Sequence, residues 1–518
     1  MVRWFGAKKE IGKTEEAKLP PAPSKDNFVS IKKLETLGDV YGGVINDVET
    51  ATLRYKVIEP ILTPEEVKVM ELIRSLISEK LVMNRDELAD TDKAMDSISS
   101  FVQREFKKRK LSLTEEQFSK IRYYIRRDYL GYGRIEPLMN DPDIEDISCD
   151  SVNTPVYIWH RIYESIPTNI SFSSSSELDS FIMRMAYLAG KSISYASPML
   201  DASLPDGNRI QLTFGQEVSD RGSNFTIRKF KADPLTIVDL ITYRTISVET
   251  AAFMWYMVEK NLSILIAGGT ASGKTTTLNA LSAFIPPMAK VVSIEDTREL
   301  NLPHENWVAS VTKTSVGLGR GVDIDLYDLL KAALRQRPDV IIVGEVRGAE
   351  AYTLLQAAAT GHGGLSTIHA ESVNGVIERL ATKPMDVPKS FIASTLNLIL
   401  LQLKFQYQGR NVRRVIRVSE IVKYDHGKDE VSFNDVFKWS AESDTMSLGK
   451  DNHIYDVIRN RSGETREEID TNIRMRETVL RWLVKKGMRN FKEVSDAVRR
   501  FSADPKGTYA YALSELNV

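Results

Sequence analysis

The run Gly268-Gly269-Thr270-Ala271-Ser272-Gly273-Lys274-Thr275 fills every position of a G-x-x-x-x-G-K-[ST] pattern. An apolar stretch at residues 263–267 precedes it, and a helical segment follows. Glycines at these positions let backbone amides close around phosphate oxygens, Lys274 neutralises the β and γ phosphates, and Thr275 offers a hydroxyl to Mg²⁺. Thr276 extends the binding set into the first helical turn, where the helix N-terminus adds partial positive charge. The ligands implied are ATP and Mg²⁺. A glycine-rich turn without chemistry is the alternative, and the strand and helix flanks argue against it.

Two further apolar runs end in acids. Asp339-Val340-Ile341-Ile342-Val343-Gly344-Glu345 reads as a buried strand whose last residue, Glu345, is placed to orient or deprotonate an attacking water and to take part of a metal shell. Val291-Val292-Ser293-Ile294-Glu295-Asp296 delivers a second pair of carboxylates, with Glu295 a catalytic candidate and Asp296 a metal candidate. The spacing does not assign the base among Glu295, Asp296 and Glu345. Thr360-Gly361-His362-Gly363-Gly364-Leu365-Ser366-Thr367-Ile368-His369 puts two of the six histidines at the ends of a short strand, and His369 is a candidate to contact phosphate or water.

The elements that position these residues follow from periodicity. Apolar strands at 263–267, 291–294, 340–343 and 365–368 alternate with helical segments, as in a parallel sheet covered by helices. Amphipathic helices carrying Ile469, Ile473, Leu480 and Leu483, then Phe491, Val494, Val498 and Phe501, close the chain. Upstream, Thr63, Pro64 and Glu66 start a helix whose stripe is Val67, Met70, Ile73, Leu76, Ile77 and Leu81, and Thr114 with Gln117 starts another that stops near Gly131. The expected organisation is a mobile tail at 1–30, a mostly helical module at 31–130, a small α/β domain at 131–232, a linker at 233–246 and an α/β ATPase domain at 247–518.

At 518 residues the chain is long enough for about three domains. Its 69 basic and 70 acidic side chains cancel, so no net field attracts nucleic acid or an anionic membrane, and such binding needs a local patch. Cys149 is the sole cysteine, which excludes an internal disulfide and a cysteine zinc cluster and fits a reducing, intracellular setting. The apolar run at 396–403 is broken by Asn397 and Gln402, so the chain is expected to meet a membrane only peripherally.

Taken together, the 268–275 loop, Ile294-Glu295-Asp296, Gly344-Glu345-Val346-Arg347 and the His362 to His369 segment resemble the ATPases of type II secretion, type IV pilus and archaellum machines. Leu204-Pro205-Asp206-Gly207-Asn208-Arg209, Phe225-Thr226-Ile227-Arg228-Lys229-Phe230 and the Glu136-Pro137-Leu138 segment are similar to the domain that precedes the ATPase core in that family. The resemblance implies a RecA-like P-loop ATPase domain, a homo-hexameric ring, a polytopic membrane platform protein as partner, and a cytoplasmic location at the membrane. It also makes Arg209 and Arg228 candidates to approach phosphate. An anionic membrane surface is a second possible contact, and no specific nucleic acid is expected. The chain departs from bacterial members in lacking their zinc cysteines and in carrying Gly348 where an Asp is usual. Its helical N-terminal module and C-terminal tail look closer to the archaeal branch. A nucleic-acid translocase or conjugation motor is the rival reading, with Lys107-Lys108-Arg109-Lys110 and Arg413, Arg414 and Arg417 as its basic clusters. A scaffold that binds ATP without hydrolysing it is a third.

Overall fold

The computed structural model describes residues 28–47, 52–80, 91–109, 111–230, 234–313, 323–449 and 452–517. The chain divides into two compact units, one up to Lys229 and one from Phe230 onward.

The first unit is built on a nine-stranded sheet in the order β1-β2-β3-β6-β5-β4-β9-β8-β7. Its strands are β1 Phe28–Lys33, β2 Tyr41–Asp47, β3 Thr52–Ile58, β4 Ile144–Cys149, β5 Pro155–His160, β6 Glu164–Ser171, β7 Met199–Ser203, β8 Arg209–Thr213 and β9 Asn224–Arg228. The helix Ser175–Leu188 lays Leu178, Phe181, Ile182 and Met185 against the sheet, where Phe181 and Phe172 meet Phe225. Three helices, Pro64–Lys80, Thr91–Arg109 and Glu115–Ile125, share a smaller core of Met70, Ile73, Met95, Ile98, Ile121 and Ile125. The two expected helix starts carry reciprocal caps, Thr63 with Glu66 and Thr114 with Gln117, each satisfying backbone donors that a helix end leaves open.

Several sequence expectations change here. The module at 31–130 is not helical from its start: β1 to β3 occupy its first third and join the α/β sheet where Tyr55 pairs with Thr168. Their short alternating pieces carry little helical periodicity, and β6, the strand through which β3 joins them to the sheet, lies more than a hundred residues away. Residues 28–30 of the expected tail belong to β1, whereas 1–27 lie outside the described residues. Val67 is exposed, so the stripe of the first helix begins at Met70, and Leu81 lies outside the described residues. The expected linker at 233–246 holds the helix Ile237–Thr242, whose Ile237, Val238 and Leu240 are buried in the core of the second unit.

The second unit has a nine-stranded sheet in the order β12-β11-β13-β14-β10-β15-β16-β17-β18. Its parallel part comprises β10 Ile264–Ala267, β11 Val291–Glu295, β12 Trp307–Val311, β13 Val340–Val343, β14 Gly363–Ile368 and the start of β15 Leu398–Tyr407. The antiparallel strands β16 Arg410–Asp425, β17 Glu430–Ser440 and β18 Thr445–Leu448 extend it. Both faces of β10, β11, β13 and β14 are covered, which explains their largely apolar runs. Ile264 and Ile266 of β10 enter one core with Val340 and Ile342 of β13, while Leu265 and Ala267 enter another with Ile341 and Val343. This two-sided, helix-covered sheet, with its glycine loop after β10, is the RecA-like arrangement expected. The helices Arg466–Lys486 and Phe491–Ala503 close the first core over the helix Val248–Glu259, where Trp255 stacks on Phe284 and meets Phe501 edge-on. The run at 396–403 is largely β15, and among the described residues no helix is long and apolar enough to cross a membrane.

Candidate functional site

The glycine loop connects β10 to the helix Lys274–Ser282. Its turns need glycine for stated reasons. A side chain on Gly268 would sit 2.1 Å from the Gln402 carbonyl oxygen, and Gly273 holds the helix N-cap at φ 91°. Ala271 adopts φ 57°, a left-handed conformation uncommon outside glycine. The Gly269 carbonyl accepts from both Ser272 Oγ and Lys274 Nζ, each at 2.9 Å. Burial pulls the half-buried Lys274 ammonium below its ordinary pKa, and the Glu345 carboxylate opposes that pull. Thr275 and Thr276 lie partly exposed in the first helical turn.

Parallel pairing brings the C-terminal ends of β10, β11, β13 and β14 to one edge of the sheet, as open α/β sheets do at ligand sites. Glu345 follows β13 and pairs with Arg347 at 2.5 Å, while Arg347 also reaches Asp296 at 3.7 Å. Arg347 thereby joins the acids after β13 and β11, and its hydrogen bond to Glu345 raises its own pKa. Glu295 is 2% exposed: Oε1 accepts from the Glu299 and Leu300 amides at 2.8 and 3.0 Å, while Oε2 is buried without a partner. Burial raises its pKa to about 7. Asp296, in contrast, is solvent-facing. Gly348 donates its amide to the buried Glu350 carboxylate, and a side chain there would lie 3.0 Å from Glu350 Oε2, which accounts for glycine at that position.

At the end of β14, His369 Nε2 lies 2.9 Å from Thr270 Oγ1, and its carbonyl accepts from Arg379. His362 sits at the other end of that strand, hydrogen-bonded to Thr360 and the Ala357 carbonyl, so the two histidines do not share a site. Arg209 and Arg228 belong to the first unit, where they are register partners on β8 and β9. Both are exposed, and each has a carboxylate partner: Asp201 for Arg209 and Asp146 for Arg228.

Motif reading missed two neighbours of the loop. Gln402 contacts it by side chain and backbone, and Arg413 Nε donates to the Ala271 carbonyl at 2.9 Å. The only sequence signals were a polar residue interrupting an apolar strand and a basic run. That run and its fellow are largely paired: Arg414 with Asp444, Arg417 with Asp435, and Lys108 and Arg109 with Glu105. Lys110 lies outside the described residues.

Residues 131–441 match the family described as Type II/IV secretion system protein. The chain belongs to this family. It is a secretion- or pilus-type motor ATPase and an ATP hydrolase. Among relatives of this secretion ATPase, an uncharacterized protein of Methanocaldococcus jannaschii is 36% identical over 90% of this chain and 88% of its own length. The Type IV secretion system protein PtlH of Bordetella pertussis is 32% identical over 55% of this chain and 92% of its own. The crystal structure of the VirB11 ATPase from the Brucella suis type IV secretion system, in complex with sulphate, aligns at 25% identity with a TM-score of 0.28, covering 55% of this chain and 95% of that one. The helices Arg466–Lys486 and Phe491–Ala503 of this secretion ATPase lie beyond the family match, yet they supply part of its ATPase core.

Proposed function

We propose that this ATPase binds ATP on the 268–275 loop and hydrolyses it to power assembly of a type IV pilus-like filament or archaellum, or related secretion. It works as a homo-hexamer at the cytoplasmic face of the membrane, pushing on a polytopic platform protein. One observation supports the site reading: the glycine loop, Glu295, Glu345 and His369 all end or follow strands whose parallel pairing directs them to one sheet edge.

The residues divide the work by position. Lys274 and the helix N-terminus supply positive charge to the triphosphate. Glu345 accepts the proton of the attacking water as its oxygen bonds to the γ phosphorus and the bond to the leaving ADP oxygen breaks. Its ion pair with Arg347 holds the carboxylate at the strand end. Glu295, anchored through one oxygen, fixes the loop after β11, packs its side-chain carbons against Gly344 and keeps its other oxygen unpartnered. Arg209 and Arg228 supply stabilising charge from the preceding domain, at the junction between neighbouring subunits.

The donor set fits Mg²⁺. Thr275, Glu345 and Asp296 offer hard oxygen ligands, and Glu295 Oε2 is a buried acceptor with no partner. Among the described residues no group of three or more His, Cys, Asp or Glu is assembled for a metal; Mg²⁺ held by one or two side chains plus phosphate needs none. Thr275, Glu345 and Asp296 would hold the ion, which supplies charge neutralisation to the phosphates.

Purified Lys274→Ala protein should lose ATP hydrolysis, and wild-type turnover in that variant would overturn the site. Deleting the gene should abolish a surface filament or swimming. Intact filaments and swimming, with DNA rather than anionic lipid stimulating hydrolysis, would favour the translocase.

A further inference from the structure

We infer that Gln402 is a positioning residue for nucleotide binding, its carboxamide tying the end of the phosphate loop to the helix that follows. Nε2 donates to the Ser272 carbonyl at 2.7 Å, and Oε1 accepts from Thr277 Oγ1 at 2.6 Å. A planar amide that gives at one end and accepts at the other satisfies both groups at once. Gln402 is 1% exposed and Thr277 is fully buried, so water cannot replace either bond.

The backbone aims this side chain. β15 follows β10 in parallel register as far as Ala267 opposite Leu401, and a bulge against β16 falls between Leu401 and Gln402. The additional residue at that irregularity, Ile416, lies on β16, so β15 keeps its alternation and Gln402 stays on the face that carries Leu398 and Leu400. Gln402 consequently lies against the loop at the point where β10 ends. Its carbonyl oxygen stands 2.1 Å from where a Gly268 side chain would begin, and its Nε2 stands 2.9 Å from the equivalent point on Gly273. The two glycines therefore make room for Gln402 as well as for phosphate. Arg413, from the neighbouring β16, holds the Ala271 carbonyl in its left-handed turn. The β15–β16 hairpin thus restrains the loop at Ala271 and Ser272, and the helix after it at Thr277, before nucleotide arrives, which lowers the ordering cost of binding.

This inference rests on the nucleotide-binding reading, and the test separates the two. In the purified full chain, affinity for a fluorescent ADP analogue is measured together with the melting temperature. Gln402→Leu should weaken binding about tenfold, equivalent to about 1.4 kcal/mol. Thr277→Val should weaken it about threefold, while Thr277→Ser, which keeps the hydroxyl, should bind as wild type. A side chain that only packs would lower the melting temperature and leave the affinity of folded protein unchanged; that result overturns the inference. If Gln402→Leu does not fold, the Thr277 pair decides: equal affinity of the Val and Ser variants overturns it. Wild-type protein that fails to bind the analogue, or Lys274→Ala that binds it normally, overturns the nucleotide reading itself. Normal Lys274 dependence with an unaffected Gln402→Leu overturns only the present inference.

Discussion

His369 Nε2 lies 2.9 Å from the Thr270 hydroxyl, so the end of β14 touches the glycine loop carried by its neighbour β10. A side chain at one strand end thereby contacts the loop at another. One neutral hydrogen bond contributes about 1 kcal/mol. His369→Ala should accordingly lower kcat/KM for ATP about fivefold, measured by phosphate release. Kinetics identical to wild type would remove His369 from the site.

Glu345 stands at the end of β13 with Arg347 as its ion-pair partner. Glu345→Gln keeps the shape and removes the carboxylate proposed to act as the base. Turnover should fall roughly 10²- to 10⁴-fold while nucleotide affinity is retained, a split read by single-turnover kinetics against equilibrium binding. Unchanged turnover would reject its role.

Arg209 and Arg228 are register partners on β8 and β9. Substituting either with Ala should lower kcat by roughly 10³-fold. If they act on a neighbouring subunit's nucleotide, mixing Arg228→Ala with Lys274→Ala protein should restore part of the activity. Mixtures as inactive as their components would place the arginines elsewhere.

Glu295 binds its proton more tightly folded, near pH 7, than at its ordinary value of 4.5, because burial disfavours the anion. Its contribution to stability is therefore complete below the unfolded value and is lost as pH rises through about 7. Glu295→Gln removes this dependence. Relative to the variant, wild-type protein should lose stability between about pH 5 and about pH 8 in urea unfolding. A constant difference across that interval would contradict the assignment.

Trp255 is fully buried between Phe284 and Phe501, so it binds the C-terminal helices to the ATPase core. Trp255→Ala should destabilise the second unit by about 3–5 kcal/mol. A change of less than about 1 kcal/mol in thermal or denaturant unfolding would mean that these helices are not part of that core.

What the sequence alone determined is what neighbouring residues carry. The phosphate loop, the apolar strands before it and before Glu295 and Glu345, and the capped helix starts at Thr63 and Thr114 are all written within windows of a few residues, where spacing, period and capping chemistry act locally. Tertiary structure decided whatever needed partners far apart in the chain. β1 to β3 pair locally with one another and join the α/β sheet through β3, whose Tyr55 meets Thr168 across more than a hundred residues. The helix Ile237–Thr242, expected as a linker, is buried in the second core. Gln402 reaches Ser272 across 130 residues and Arg413 reaches Ala271 across 142. Such contacts leave no periodic trace, because a buried amide or a bulge is specified by the surface it meets rather than by its neighbours in sequence.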